Sequence, residues 1–256
     1  MRHWQTLLYV LLSFTLLILV WQSIIWIGDY PEALLPSPWM VFLGIISLIA
    51  DGTMFEHVRI SLFRFFSGYI TAAVTAIFLG LILGRSKVLW RLVEPIVQVV
   101  RPVAPVAWSP FIVLWFGIGN MPAIVIIFIA AFFPVLLSTV SAVKKIDRTY
   151  LKLAENLEIS QTSLLWKIIL PAAFPYIANG LHIAVGTAWI FLVAGEMIGA
   201  QSGLGYLIVD ARNALDLDLV LAGIVFIGLL GLLLDKSLGL VEKRIGKVWG
   251  RQEAVE

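Results

Sequence analysis

LKLAENLEISQTSLLWKIILP, residues 151–171, is helical in its spacing yet too polar to lie across a bilayer. Leu153, Ala154 and Leu157 fall on one helical face; after a polar break at 158–163, Leu164, Leu165 and Ile168 fall on another. Lys152, Glu155, Asn156, Gln161 and Lys167 populate the opposite sides, and Ser160 is placed to cap the second helix. Pro171 opens the next long apolar run. The stretch therefore reads as a short amphipathic helix pair between two membrane spans, with a charged surface suited to docking on another protein.

The rest of the chain supplies those spans. Of the 256 residues 61% are hydrophobic and 13% charged, and mean hydropathy is +0.98, more apolar surface than a soluble domain of this size carries. The expected class is an all-α integral membrane protein, a single membrane domain over 1–256. With no cysteine, disulfides, thiol catalysis and cysteine metal sites are excluded. A net charge of +2 gives no footprint for nucleic acid.

Six spans are expected at about 7–27, 65–83, 92–116, 122–143, 176–198 and 219–240, each near the length a bilayer requires. The first is read as a retained span: its apolar core is long for a signal sequence, and the exit WIGDYPEALLPSP lacks a small-residue cleavage site. A proline-bent loop, an interfacial helix around 39–50 and a lead-in helix from Phe55 precede the second. The third carries Glu94, Pro95, Arg101, Pro102, Pro105 and Pro110 and must bend, its freed carbonyls finding partners inside the protein.

The distribution of positive charge orients the map. With the N-terminus in the cytoplasm, most of the 18 lysines and arginines fall inside, Arg59, Arg64 and Arg212 fall outside, and Arg101 lies within a span. Both termini and the segment 150–170 are then cytoplasmic. No GxxxxGK[ST] loop, GxSxG or HExxH occurs, and His3, His57 and His182 are far apart in sequence. No catalytic or metal-binding constellation is expected, and the chain has no Walker cradle for a nucleotide.

The segment 151–171 resembles the cytoplasmic EAA loop of ATP-binding-cassette (ABC) importer permeases, roughly EAA, three residues, Gly, nine residues, then I-x-L-P. The matching positions read Lys152-Leu153-Ala154, then Glu158, then Ile168-Ile169-Leu170-Pro171. Lys152 replaces the Glu and Glu158 replaces the Gly, which normally permits the sharp turn between the helices; Glu there must take an ordinary backbone conformation or bear strain. Leu35-Pro36-Ser37-Pro38, His57, Ser61-Leu62-x-Arg64 with Gly68, the run from Arg101 through Trp108 and Pro110, Trp115-Phe116-Gly117-Ile118-Gly119, Ala194-Gly195-Glu196-Met197 and Gly203-Leu204-Gly205 are similar to the nitrate/sulfonate/taurine/bicarbonate subfamily. The resemblance covers about residues 34–245. It implies a type I (MetI-like) permease fold with a coupling-helix pair, forming the pathway for a small solute, an oxyanion such as a sulfonate, taurine, nitrate or bicarbonate.

It further implies a second permease subunit, as a homodimer, two ABC ATPase subunits, a periplasmic or lipid-anchored substrate-binding protein, and an inner or plasma membrane location. ATP and Mg would sit on the ATPase, with no cofactor on this chain. Lys152, Ala154, Glu155, Asn156, Leu157, Glu158, Ile159, Ser160, Leu170 and Pro171 would dock the ATPase. Ionisable groups inside a membrane are functional candidates, so Arg101 is the leading residue for an anion path, either holding an oxyanion or pairing with Glu94 and capping carbonyls freed by Pro102 and Pro105. Glu196 suits a gate or an ion pair. His182 suits substrate contact or a bond to a neighbouring helix, and Trp108 and Trp189 suit either lining or packing. The rival reading is an ion-coupled secondary transporter using Glu94, Arg101 and Glu196; a membrane-bound enzyme is the third. The docking segment argues against both.

Overall fold

Residues 2–32, 34–147, 154 and 156–248 are described by the computed structural model. Helices account for the fold, and no strand occurs among the described residues. In order they are α1 (Arg2–Gly28), α2 (Pro38–Ala50), α3 (Thr53–Arg85), α4 (Lys87–Val100), a 3-10 turn (Pro105–Trp108), α5 (Ser109–Phe116), α6 (Asn120–Lys144), α7 (Gln161–Leu164), a π-helical turn (Leu165–Ile169), α8 (Leu170–Gly199), α9 (Leu204–Ala214) and α10 (Leu217–Val248).

Five helical stretches are long and apolar enough to cross a bilayer, and a sixth is the pair α4 and α5 counted together. That pair is bent by 87° between Val100 and Pro105. Pro102 and Pro105 have no N–H to donate, so the ladder of α4 cannot continue; its last bonds run from Arg101 N–H to Val97 and from Val103 N–H to Val100. The second and fifth spans are longer than their hydropathy suggests. The lead-in helix is continuous with the second span in α3, and α7 runs through the π turn and α8 as one stretch, Gln161–Gly199, of 39 residues. Pro171 does not separate the amphipathic helix from the span. It stands at the first turn of α8, directly after a turn whose wider i→i+5 bonds include Leu170 N–H to Leu165, where a missing N–H is tolerated.

The bundle is held by close approach. On α3, Gly68, Ala72, Ala76, Gly80 and Gly84 recur every four residues, one stripe of small side chains laid on α6. A Cβ at Gly68 would stand 2.7 Å from the Ile124 carbonyl, and one at Gly80 would stand 2.6 Å from Thr139 Cβ. On the other side of α6, a Cβ at Gly180 of α8 would meet Ser138 Cβ at 2.5 Å. Thus α6 is the central helix, buried against α3 and α8 along its length. Phe65 stacks on Tyr69 and meets Trp189 edge-on, each at 5.5 Å, and α10 closes over this core. The turn from α3 to α4, the end of α6 and α7 share one end of the bundle, rich in Arg and Lys; the ends of α8 and α9 share the opposite end.

Candidate functional site

Three features stand out: the amphipathic segment, a cavity beside the α4 bend, and a buried polar cluster at the opposite end.

In the amphipathic segment 151–171, Leu151, Lys152, Leu153 and Glu155 lie outside the described residues. Ala154 is buried, with Val143, Leu164 and Ile169, under Leu81, Ile146 and Ile159. The chain turns at Glu158, whose φ is +53°, while Ile159 N–H donates to the Ala154 carbonyl at 3.0 Å. A six-residue bond closed over a left-handed residue is a Schellman helix end, a position that favours glycine. Glu158 therefore bears the strained conformation instead of avoiding it. Ser160 Oγ then accepts from Ser163 N–H at 3.3 Å and starts α7, and Arg85 at the end of α3 donates to Gln161. Asn156, Leu157, Glu158 and Ser160 face outward. Leu157 and Trp166, each 63% exposed, add apolar surface to that face. Leu170 and Pro171 are half-buried at the root of α8.

The cavity, of about 740 Å³, is lined by Arg101–Pro105 at the bend and by residues of α6 and α8. Its polar lining is Arg101, Lys145, Ser138, Ser141, Tyr176, Asn179 and Thr187, with no Asp or Glu among the described residues. Lys145 sits over the Tyr176 ring at 4.6 Å. Arg101 is exposed to this space, and no ion pair joins it to Glu94 among the described residues. Arg101 alone of the five expected pathway residues lines the cavity.

The other four are elsewhere. Trp189 is 6% exposed, and its indole N–H donates to the Ile227 carbonyl at 3.0 Å, so it packs α8 on α10. His182 faces α10, 3.0 Å from Asp235 and 3.5 Å from Glu242. Trp108 ends the 3-10 turn, 36% exposed.

Glu196 belongs to the buried cluster. His57, Ser61 and Arg64 stand at helical spacing on α3, and none of them was singled out from sequence as a site. Arg64, read only as a charge on the outer side of the bilayer, is 1% exposed inside the bundle. Its Nη1 donates to Glu196 Oε1 at 2.8 Å and to the Ser202 carbonyl at 2.6 Å. Nε and Nη2 donate to Asn120 Oδ1, and Nη2 also to Ser202 Oγ. All five guanidinium donors are thus used. The Glu196 carboxylate accepts further bonds from Ser61 Oγ and Gly205 N–H. Ser61 Oγ accepts from Leu204 N–H and His57 Nδ1 from Gly203 N–H, both at 2.9 Å. Gly203, at φ +101°, lies so close that a Cβ would be 2.2 Å from Glu196 Oε1. The cluster ties the start of α9 to α3, α6 and α8. The available signal was the i, i+4, i+7 spacing of His57, Ser61 and Arg64.

Residues 76–247 match the family described as "Binding-protein-dependent transport system inner membrane component". The chain is 34% identical over 231 residues to "Putative aliphatic sulfonates transport permease protein SsuC" of Bacillus subtilis (strain 168), covering 90% of this chain and 84% of that one. It is 33% identical over 238 residues to "Taurine transport system permease protein TauC" of Escherichia coli (strain K12), covering 91% and 86%. It is 39% identical over 196 residues to "Nitrate import permease protein NrtB" of Synechococcus elongatus (strain ATCC 33912 / PCC 7942 / FACHB-805), covering 75% and 70%. Among solved structures it is similar to a chain of "Inward facing conformations of the MetNI methionine ABC transporter: CY5 native crystal form", with a TM-score of 0.57 at 18% identity over 83% of this chain and 97% of that one. At that identity the likeness is one of fold.

Proposed function

This chain belongs to the family of binding-protein-dependent transport system inner membrane components, and from that premise we propose that it passes a small oxyanion through the membrane as one of two identical permease subunits. It is an ABC importer permease, a transport subunit and not an enzyme. The observation that carries the oxyanion reading is the cavity at the α4 bend: two cations, five neutral hydrogen-bonding side chains and no carboxylate among its described lining residues. Guanidinium and hydroxyl groups satisfy an oxyanion by paired hydrogen bonds. The ligands named for the sulfonate, taurine and nitrate relatives define the class to be tried, with bicarbonate beside them.

ATP hydrolysis and its Mg belong, in this reading, to separate ATPase subunits docked on the outward face of 150–170, at the basic end, which is cytoplasmic. The cavity is lined from only one side of the bundle, by the bend, α6 and α8, which suits completion by a second copy. The binding protein delivers solute at the end that holds the Arg64–Glu196 cluster. The test is to co-express the chain with its ATPase and binding protein, reconstitute the complex, and measure ATP hydrolysis with and without loaded binding protein. A deletion of residues 155–163 runs beside it. Stimulation by a binding protein loaded with one of the oxyanions, and loss of the ATPase from the deletion, are the expected results. An ATPase that fails to join the intact chain refutes the docking assignment; stimulation only by uncharged solutes refutes the oxyanion assignment.

A further inference from the structure

Lys87, Arg91, Glu94, Gln98 and Arg101 stand at i, i+4, i+7, i+11 and i+14 along α4 and its C-cap, a single polar stripe. It flanks the packed face, where Trp90 and Val97 are buried. The other side is apolar and open, with Leu92 67% and Ile96 63% exposed. Charged groups on a membrane helix face the protein interior or a water-filled space. Such a space is present. The cavity at the bend shares Arg101, Pro102 and Leu137 with a second cavity, which also holds Gln98 and Val97. That second cavity shares Trp90 and Glu94 with a third, lined by Arg85, Lys87, Arg91 and Lys144 and bounded by Glu158 and Gln161 of the docking segment. Three cavities therefore adjoin along one helix, and the stripe runs through all of them.

We propose that this stripe is the route by which the solute anion leaves the Arg101 cavity for the cytoplasm, and that the docking segment forms one wall of its exit; the proposal rests on the oxyanion-importer reading above. Cations at both ends draw the anion along. Glu94, between Arg91 and Arg101, keeps it from being held too tightly to leave, since passage requires binding that is favourable but weak. Because Glu158 and Gln161 border the last cavity, movement of the docked segment changes the width of the exit.

The chain has no cysteine, so single cysteines report without background from it. Gln98→Cys and Arg91→Cys on the stripe, and Leu92→Cys and Ile96→Cys off it, are to be made in the whole complex in inside-out vesicles. The reagent is the water-soluble anion 2-sulfonatoethyl methanethiosulfonate. The stripe cysteines are expected to react at least tenfold faster than the other two. Vanadate trapping with ATP is expected to slow Gln98→Cys at least tenfold. Equal reaction at all four positions overturns the proposal. So does stripe labelling that is unchanged by trapping, which would make α4 a helix lying along the lipid–water boundary, and so does oxidative cross-linking of two copies through Gln98→Cys without reagent access. ATP hydrolysis stimulated by loaded binding protein is measured in the same vesicles. Stimulation without the labelling pattern removes the exit route alone, whereas failure of any ATPase to associate removes the importer reading beneath it.

Discussion

Glu158 and Glu196 are both carboxylates in places that resist them, for different reasons. At Glu158 the cost is in the backbone: a residue with a Cβ at φ +53° gives up roughly 1–2 kcal/mol relative to a right-handed one, part of which Gly returns through its greater freedom when unfolded. Glu158→Gly is therefore expected to stabilise the turn by up to about 1 kcal/mol. Hydrogen exchange of the Ile159 amide, which closes the turn on Ala154, reads this as a slowing of about fivefold; an unchanged rate means the turn carries no strain. At Glu196 the cost is desolvation, offset by Arg64, Ser61 and Gly205. Removing one member of a buried pair leaves the other charge without a partner, so Glu196→Ala is expected to cost about 3–5 kcal/mol, and Arg64→Leu with Glu196→Leu together to cost less than either alone. Thermal unfolding in detergent micelles decides this, and simple additivity of the two losses would show that the charges do not depend on each other. Position 158 was legible in sequence as a departure from a glycine, because the turn is local. The Arg64–Glu196 pair was not: its members are 132 positions apart, and Arg64, in the lead-in helix just before an apolar run, reads from hydropathy only as a charge at the membrane edge.

Among the elements, α3 and α6 are held by what is absent from their side chains. Lipid offers no hydrophobic drive for helices to associate, so packing through small residues carries the load. Gly80→Val must displace Thr139, whose Cβ would be 2.6 Å from the new Cβ, at a cost of about 1–3 kcal/mol. Gly186, also helical, has nothing within 4 Å of its Cβ position, and Gly186→Ala is expected to be neutral or stabilising by up to about 1 kcal/mol. Paired melting curves test the contrast; equal effects would mean that helix propensity, and not close approach, governs these glycines. Helix type was readable from hydropathy and proline content, and the bend at 101–104 from Pro102 and Pro105. The fusion of α7 with α8 was not, because Pro171 reads as a break; a π turn places its missing N–H where no bond is lost. The four-residue repeat of small side chains on α3 was likewise hidden within an apolar run.

For the whole molecule, the distribution of charge predicts the sidedness. Lys87→Cys at the basic end is expected to react with a membrane-impermeant maleimide only in inside-out vesicles, and Arg212→Cys on α9 only in intact cells. Reversal of both would invert the topology and take the amphipathic segment out of the cytoplasm, against the docking proposed for it. The membrane class and the turn within the amphipathic segment were visible in sequence because each is written in contiguous residues. The cavity was visible only through Arg101, since Lys145, Asn179 and Thr187 converge on it from two other helices. Trp189 and His182 drew notice as unusual residues within a span, but the side of α8 they occupy faces α10.

The continuous stretch from Gln161 to Gly199 has the amphipathic segment at one end and Glu196 near the other. Of its glycines, Gly180 leaves the least room against α6, beside Ser138. At 1.5 Å per residue the two arms measured from Gly180 are about 28 Å and about 24 Å. If the stretch moves as one rigid piece, it would act as a lever with its fulcrum near the middle: a push inward at one tip would swing the other outward by nearly the same distance, gearing the two membrane faces in opposite directions.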